Sequence, residues 1–374
     1  MICEIDLRPL EPYFFGAERS AVFGDWLPQM ARRKSYYLRS AELPSQSALF
    51  GVLRYLGISS PDESFSIDEN RIGGESFRLT ADRPQKFGMI QRISPLVLKQ
   101  ICADGVDYLV PAPRNHRAVA LKTAEDSAEF LPYRDLLPIK INGISRLLPG
   151  EADYSEKDKD NAQFFSLKTG RLKGKFFRTV ERVGINRRFS GSDEGGFFRK
   201  ACILLHPSVS FTYWADVAED YFDFPGDGPL VRTVYMGQGH TPFTATITKV
   251  GCLPVNLDLL QSTAFSNDAF LYRFALSDLC FTESAEALRA CCSLMLAVPQ
   301  EYREFSTCYS RNNPASKARF RREQRLLRLF RAGSVFILRD EEQAKAFDCL
   351  LRESQPIQAA IAGFNCVYPG GKLL

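Results

Sequence analysis

The feature that most constrains the fold is a pair of β-rich apolar runs joined by a short polar segment, between residues 181 and 217. Val183-Gly184-Ile185 ends the first run, and Phe197 begins the second, which continues to Leu205. The segment between the runs is polar and contains three glycines. Apolar runs separated by a Gly-rich turn are typical of a β-hairpin. The sequence therefore predicts antiparallel β-structure at the centre of the chain.

Cationic side chains surround this turn. They are Arg182, Arg187, Arg188, Arg199 and Lys200. Guanidinium groups match phosphate oxygens and stack on bases, and glycine lets the backbone approach a ligand closely. The hairpin is therefore a candidate nucleic-acid-binding element. The alternative is a solvated turn whose arginines only maintain solubility.

Composition limits the class of protein. The 374 residues fit two domains, and 45% hydrophobic with 12% aromatic residues indicate a globular chain. The net charge of +4 is mild, so the case for nucleic acid depends on local clustering. Ten cysteines without a CxxC pair, and only three histidines, favour reduced thiols over a metal site. Glu4, Asp6 and Arg8 argue against a signal peptide, and no apolar run approaches a membrane span. We expect a soluble, cytoplasmic protein that needs no metal or cofactor.

The first half of the chain contains two well-marked elements. Residues 1–10 alternate apolar and polar side chains, which predicts a half-buried strand. Residues 43–57 predict a helix, with Ser45 or Ser47 as N-cap and Gly57 closing the C-terminus in a left-handed conformation. The start of such a helix is also a ready anion site. The three aromatics at 13–15 are expected to pack in the core, with base stacking as the alternative.

The remaining segments suggest further elements in a regular order. Strands are predicted at 108–110, 231–236, 244–250, 332–338 and 363–368, and helices at 283–296 and 341–352. Residues 150–174 read as a charged surface insertion. The domain boundary is placed near the Pro/Gly turn at 223–228.

The segment from Arg311 to Arg331 is the most basic part of the chain. It contains eight cationic residues and a single acid, Glu323. Leu326, Leu327 and Leu329 suit an apolar face, so part of the segment is expected to be helical. Such a density of arginine attracts a phosphate backbone, and a solvated face is the ordinary alternative.

The three histidines do not suggest catalysis. His116, His206 and His240 are isolated in the sequence, and no base and acid stand at a spacing that general acid–base chemistry requires. His116 follows a Pro-rich turn and is expected at the surface. The sequence predicts no catalytic residue.

The order of elements favours an α+β fold made of two tandem ferredoxin-like (RRM-like) domains. We assign the first to residues 1–222, with an inserted hairpin and charged loop near 150–195. The second covers residues 223–374 and has a Gly-rich end.

Several stretches together resemble one family. They are DLRPLEPYFF at 6–15, LPSQSALFGVLR at 43–54, YLVPAPR at 108–114, ERVGINRR at 181–188 with DEGGFFR at 193–199, AGSVFIL at 332–338 and GFNCVYPGG at 363–371. Their content and order resemble the CRISPR-associated RAMP superfamily, and more narrowly the Cmr-complex subunit three family of type III-B effector complexes. The sequence departs from the family at Gly16, which follows the paired aromatics, at the turn 237–240, and at Tyr368-Pro369, which interrupts the last Gly-rich loop.

The resemblance implies a non-catalytic subunit that binds the 5′ handle of the CRISPR RNA. Its implied protein partners are the large polymerase-type subunit and the backbone RAMP subunits. The RNA-binding role carries over to Ser45, Ser47, Arg54, Gly184, Asn186, Arg187, Arg188, Gly363, Gly370 and Gly371. Asn186 or Asn365 would supply base-edge hydrogen bonds. Two alternatives are a RAMP-type endoribonuclease that processes CRISPR RNA and a protein-only assembly subunit.

Overall fold

The computed structural model describes residues 1–23, 35–58, 68–117, 119, 121–133, 136–141, 144–149, 163–185, 197–237, 239–265, 270–283, 285–308 and 319–369. The helices are α1 (Gln46–Leu56), α2 (Glu69–Ile72), α3 (Asp258–Ala264), α4 (Ala285–Ala290) and α5 (Glu341–Ser354). The strands are β1 (Ile2–Pro9), β2 (Phe15–Phe23), β3 (Ser35–Ala41), β4 (Ile90–Ile93), β5 (Val97–Cys102), β6 (Gly105–Pro111), β7 (Ser127–Glu129), β8 (Leu136–Ile141), β9 (Ile144–Pro149), β10 (Phe164–Ser166), β11 (Arg171–Lys173), β12 (Phe177–Ile185), β13 (Phe197–Leu205), β14 (Val209–Val217), β15 (Leu230–Met236), β16 (Thr241–Val250), β17 (Leu271–Ala275), β18 (Leu279–Cys280), β19 (Leu294–Leu296), β20 (Pro299–Cys308), β21 (Arg319–Phe330), β22 (Val335–Leu338) and β23 (Val367–Tyr368). The fold is thus α+β with mostly antiparallel sheets, as predicted, while its division into two ferredoxin-like domains stays a prediction.

A ten-stranded antiparallel sheet forms the centre of the molecule. Its strand order is β15-β16-β1-β14-β5-β6-β10-β11-β7, with β4 paired to β14. The predicted first strand, β1, lies inside this sheet, where Ile5 is opposite Tyr213 on one side and Ile247 on the other. The boundary predicted between residues 222 and 223 falls between β14 and β15. Strands from both sides of that boundary therefore share one sheet.

One face of the large sheet buries the apolar side of α1. Leu49, Phe50 and Leu53 of the helix join the sheet residues in the largest hydrophobic cluster. Tyr13 and Phe15 are buried in the same cluster, with ring centroids 4.5 Å apart. This confirms the prediction that the aromatics at 13–15 pack in the core.

The opposite face is covered over part of its width. Trp214 and Phe165 of the sheet pack in a second cluster with Leu260 of α3 and Phe274 of β17. A third cluster joins β22 to α5 through Phe336 and Phe347, whose rings are 5.0 Å apart. These contacts hold the C-terminal elements against the large sheet.

The central hairpin is present as predicted. β12 and β13 pair antiparallel from Phe177 opposite Leu205 to Ile185 opposite Phe197. β13 also pairs in parallel with β3, which extends this sheet to the order β12-β13-β3-β2. The turn between the two strands, residues 186–196, lies outside the described residues.

The prediction of a helix within the basic segment is wrong. Residues 319–330 form strand β21, which pairs antiparallel with β20. Leu327 and Leu329 are buried while Arg328 between them is exposed, a period of two that favours a strand. The helix predicted at 283–296 is also shorter, because α4 ends at Ala290 and the apolar residues 294–296 pair with β22 as β19.

The cysteines lie mainly in the interior of the fold. Nine of them are free thiols, and five of the nine are buried: Cys3, Cys202, Cys280, Cys292 and Cys366. Burial raises the pKa of Cys3 to about 11 and that of Cys366 to about 12, so both thiols stay protonated. Among the helices of the described ranges, none has the length and apolar character to cross a membrane.

Candidate nucleic-acid interface

The N-terminus of α1 carries two of the predicted RNA-binding residues. Ser45 is the N-cap, and its Oγ accepts a hydrogen bond from the Ala48 N–H at 3.3 Å. The hydroxyl oxygens of Ser45 and Ser47 are 3.1 Å apart. Ser45 is exposed and Ser47 half-buried, so the hydroxyl groups lie at the surface where the helix begins. The capping role predicted for Ser45 is confirmed.

Gly363 lies directly against the same helix start. Gln46 donates through Nε2 to the carbonyls of Ser94 and Ala362, at 3.1 and 3.0 Å, and its Oε1 accepts from Leu96 N–H. A Cβ at Gly363 would stand 2.4 Å from the Gln46 Nε2, and the glycine has a φ of +73°. Only glycine fits this position without a shift of its neighbours. Ser45, Ser47 and Gly363 therefore share one place in the fold, although Gln46 and Ala362 are 316 residues apart.

Tyr302 of β20 completes this arrangement, and sequence reasoning did not identify it. Its hydroxyl donates to Ser47 Oγ at 2.9 Å, and its ring centroid is 6.2 Å from that of Phe364. The bond ties the β20–β21 pair to the start of α1. Tyr302 lies in a strand of mixed polar and apolar residues, and nothing in that local sequence predicts its contact with Ser47.

Three exposed cations lie near the start of α1. Arg39, Arg331 and Lys175 approach Glu42, three residues before the N-cap. Burial raises the pKa of Glu42, and these cations oppose the rise. A helix N-terminus with exposed cations nearby favours bound anions. We call Ser45, Ser47, Gly363 and Tyr302, with these three cations, the α1 surface.

The half of the β12–β13 hairpin nearest its turn carries a second group of cations. Arg182 and Arg199 are exposed, and Arg182 makes an exposed ion pair with Glu11 at 3.4 Å. Lys200 is half-buried, with its Nζ 4.2 Å from the centroid of the Phe14 ring, and burial lowers the pKa of Lys200. Arg182 is opposite Lys200 and shares its face, whereas Arg199 is opposite Val183 on the other face. We call Arg182, Arg199 and Lys200, on the two faces of the strand pair, the hairpin surface.

The glycine turn after β15 packs against this hairpin surface. A Cβ at Gly237, whose φ is +73°, would stand 2.4 Å from the Phe14 carbonyl oxygen. A Cβ at Gly239 would stand 3.3 Å from Lys200 Nζ. The sequence marks this turn only as a departure from the family pattern, and the structure places it against Phe14 and Lys200.

The other predicted RNA-binding residues are distributed differently. Gly184 is the second-last residue of β12 and is opposite Phe198. Asn186, Arg187, Arg188, Gly370 and Gly371 lie outside the described residues. The roles assigned to all of them stay predictions.

Arg54 and Asn365 make hydrogen bonds within the fold. Arg54 donates from Nε to the Ile72 carbonyl and from Nη2 to the Gly73 carbonyl, both at 2.9 Å. It stands roughly 13 Å along the helix from Ser45 at 1.5 Å per residue, and burial lowers its pKa. Asn365 Oδ1 accepts from Cys280 N–H at 2.6 Å, and its Nδ2 donates to the Cys280 carbonyl at 2.9 Å. Both side chains thus stabilise the protein itself.

The surface location predicted for His116 is wrong. The residue is buried, its Nδ1–H donates to the Pro113 carbonyl, and its ring centroid is 5.0 Å from that of Phe130. The Pro-rich turn folds the ring inward, which a basic, polar sequence context did not indicate. The described residues contain no group of three or more His, Cys, Asp or Glu side chains arranged to hold a metal ion.

Comparison with known proteins finds solved structures that are similar to this chain, and two of them are described here. No family model matches the sequence, and no curated protein matches it. The chain is similar to a chain of the type III-B Cmr-beta complex bound to cognate target RNA and AMPPnP, with 11% identity over 94% of this chain and 93% of that chain and a TM-score of 0.40. It is also similar to a chain of the type III-B Cmr-beta complex bound to cognate target RNA, with 13% identity over 89% and 86% and a TM-score of 0.41.

Proposed function

We propose that this protein is a non-catalytic RNA-binding subunit of a type III CRISPR effector complex in antiviral defence. In this proposal it holds the 5′ handle of the CRISPR RNA and docks the large polymerase-type subunit. The observation that carries the proposal is the convergence at the α1 surface. Ser45 and Ser47 belong to one of the stretches that resemble the family, and Gly363 belongs to another. Gln46, in the first stretch, donates to the carbonyl of Ala362, the residue directly before the second stretch.

The chemistry of the α1 surface suits a single-stranded RNA backbone. Free N–H groups at a helix start and exposed hydroxyls bind phosphate oxygens, and nearby cations add Coulomb attraction. Arg39, Arg331 and Lys175 supply that charge. A fixed handle sequence in addition needs hydrogen bonds to base edges.

The hairpin surface extends the proposed RNA path. Arg182 on β12 and Arg199 on β13 lie in the strand pair that leads to Asn186, Arg187 and Arg188, where Arg182 is opposite Lys200 and Arg199 is opposite Val183. Arginines neutralise phosphates and stack on unpaired bases, at about 1–3 kcal/mol for each stacked base. The RNA handle would therefore contact the arginines of the hairpin.

The environments of the histidines support a non-catalytic role over a ribonuclease. His116 is buried within the fold, and His206 bonds through Nδ1 to the Ser208 hydroxyl at 2.8 Å. A general base must reach the proton that it removes. Specific cleavage of repeat RNA by the purified protein, abolished by His→Ala at 116, 206 or 240, would overturn the proposal.

The direct test is crosslinking to a guide RNA with a photoreactive base in its 5′ handle, using the chain alone and co-expressed with the large polymerase-type subunit and backbone subunits. We expect adducts within residues 184–188, at Ser45–Ser47 or within 363–371. A guide with a scrambled handle is the RNA control. The variant R187Q/R188Q should lose hairpin adducts, whereas R339Q, which changes an exposed arginine on the α5 side, should keep them.

One result would favour the protein-only assembly role. If the assembled complex gives no handle adduct in this chain while the large subunit remains bound, RNA binding is not its function.

A further inference from the structure

Strand β15 forms one edge of the large sheet. Its seven residues, Leu230–Met236, pair with β16 and with no other described strand. In an antiparallel pair, alternate residues direct both their N–H and C=O groups away from the partner strand. β15 therefore presents a row of backbone donors and acceptors at the sheet edge.

The usual protection of such an edge is missing from β15. Native edges carry outward charges, prolines or bulges that prevent pairing with another chain. Arg232 is the only charged residue of β15, and its Nη1 donates to the carbonyls of Leu56 and Ile58 at 3.2 and 3.4 Å. That guanidinium lies at the C-terminal end of α1, where helix carbonyls attract a cation. The Arg232 side chain therefore does not prevent another strand from pairing with the edge of β15.

Exposed apolar side chains line one face of the same strand. Val231 and Tyr235 are 56% and 57% exposed, and Thr233 between them is also exposed. Across the sheet, Thr233 is opposite Thr244, and Thr244 is opposite Arg8 of β1. Leu10, just beyond β1, is 62% exposed. Exposed apolar side chains concentrated on one face of an edge strand favour an interaction site.

The charges of this face point to a protein and not to nucleic acid. Lys99 is neutralised by Glu4 and Asp6, at 2.5 and 2.7 Å. Arg8 is exposed and makes no ion pair with any residue in the described ranges. One open cation is too little for a polyanion, but it suits a partner with apolar side chains and a single carboxylate.

We propose that β15 receives an extended segment of a protein partner, which adds to the large sheet as a further strand. Backbone hydrogen bonds would give affinity, and the face of Val231, Thr233 and Tyr235 would select alternating apolar and β-branched side chains. A carboxylate of the partner would pair with Arg8. The choice of the large polymerase-type subunit as the partner rests on the proposed function.

The first test follows amide hydrogen exchange in the wild-type chain, alone and in the complex co-expressed with the large subunit. We expect the edge-facing amides of residues 230–236 to exchange at least tenfold more slowly in the complex. Residues 136–141 of β8, in a separate two-stranded sheet, are the internal reference. Because this experiment uses the wild-type chain, it does not depend on the folding of a variant.

The second test compares two variants that place lysine on exposed strand positions. V231K/Y235K places charges on the proposed face, and L137K changes a side chain that is 53% exposed on β8. We expect V231K/Y235K to bind the purified large subunit at least tenfold more weakly than wild type, and L137K to bind normally. Handle crosslinking should be unchanged in both.

Contrary results in these two tests would overturn strand addition, and they would show whether the proposed RNA-binding function fails with it. A complex that forms without slower exchange in β15, or equal binding by the two variants, contradicts strand addition but leaves handle binding intact. Lost crosslinking in V231K/Y235K with normal assembly would assign the face to RNA. If the wild-type chain does not bind the large subunit, strand addition and the proposed docking both fail, and handle crosslinking alone then decides the RNA-binding role.

Discussion

Gly363 packs directly against the start of α1 because it has no side chain, and this brings two stretches that are distant in sequence together at the α1 surface. Alanine there would hold a positive φ and place its Cβ 2.4 Å from Gln46 Nε2 and 2.7 Å from the Ser94 carbonyl. We expect G363A to lower the free energy of unfolding by about 2–3 kcal/mol, measured by urea denaturation. The control is G51A in the exposed middle of α1, where a Cβ meets nothing within 4 Å. That change should stabilise the protein by about 1 kcal/mol, and equal effects of the two variants would contradict the geometry.

Single residues also show where sequence reasoning reaches its limit. Ser45, with Ser47 as the alternative, is a predicted cap because the capping preference depends only on neighbouring residues, here a serine before an apolar helix pattern. Gly57 was expected in the left-handed region but has a φ of −79°, and a Cβ there would collide with Tyr221, which comes from a distant segment. The bonds of Tyr302 and Asn365 depend in the same way on residues far away in the chain. Local signals predicted the local geometry, and tertiary contacts decided the rest.

At the scale of elements, a buried charge group joins β1 to β5. Lys99 bridges Glu4 and Asp6, and Tyr108 donates its hydroxyl to Glu4 Oε2 at 2.6 Å. We expect K99M to lower the free energy of unfolding by about 3 kcal/mol at pH 7, because two carboxylates lose their cation. The exposed pair of Lys168 with Asp104 gives the control, K168M, which should leave the urea midpoint unchanged.

The same variant has a pH dependence with a definite sign. Burial raises the pKa of Asp6 above its ordinary 3.8, and the hydrogen bond from Lys99 opposes that rise. Without Lys99 the folded-state pKa rises further, so folded K99M binds more protons than its unfolded state and gains stability as the pH falls. In urea denaturation, the difference in free energy of unfolding between wild type and K99M should become smaller as the pH is lowered from 7 to 4. A deficit that is constant across this range would mean that lost packing, and not the carboxylate charge, is the cause.

Elements were predicted best where their period was clear. α1, β1 and the β12–β13 hairpin lie where the apolar pattern placed them. The segment at 319–330 was assigned partly to a helix because Leu326, Leu327 and Leu329 fit either period over so short a run. Pairing with β20 selects the strand, and the identity of a pairing partner is not written in the pattern of one segment.

At the scale of the whole molecule, the order of elements did not reveal how the sheets are shared. β15 and β16 follow the predicted boundary, yet they extend the sheet that contains β1 and β14. Such pairing between distant strands depends on loop closure and complementary faces, which no local composition encodes. The α1 surface likewise required the fold, because its residues come from opposite ends of the chain.

The proposed RNA binding depends on the local distribution of cations and not on the mild net charge of +4. We expect R182Q/R199Q to weaken handle binding and to reduce the slope of log Kd against log salt by about 1 to 1.5, since each phosphate contact to single-stranded RNA contributes about 0.7. Fluorescence anisotropy between roughly 50 and 200 mM salt measures this slope. R339Q removes one exposed cation from a distant part of the chain and should leave the slope unchanged. If both variants keep the wild-type slope, Arg182 and Arg199 do not contact phosphate, and the RNA path must follow the α1 surface without these hairpin arginines.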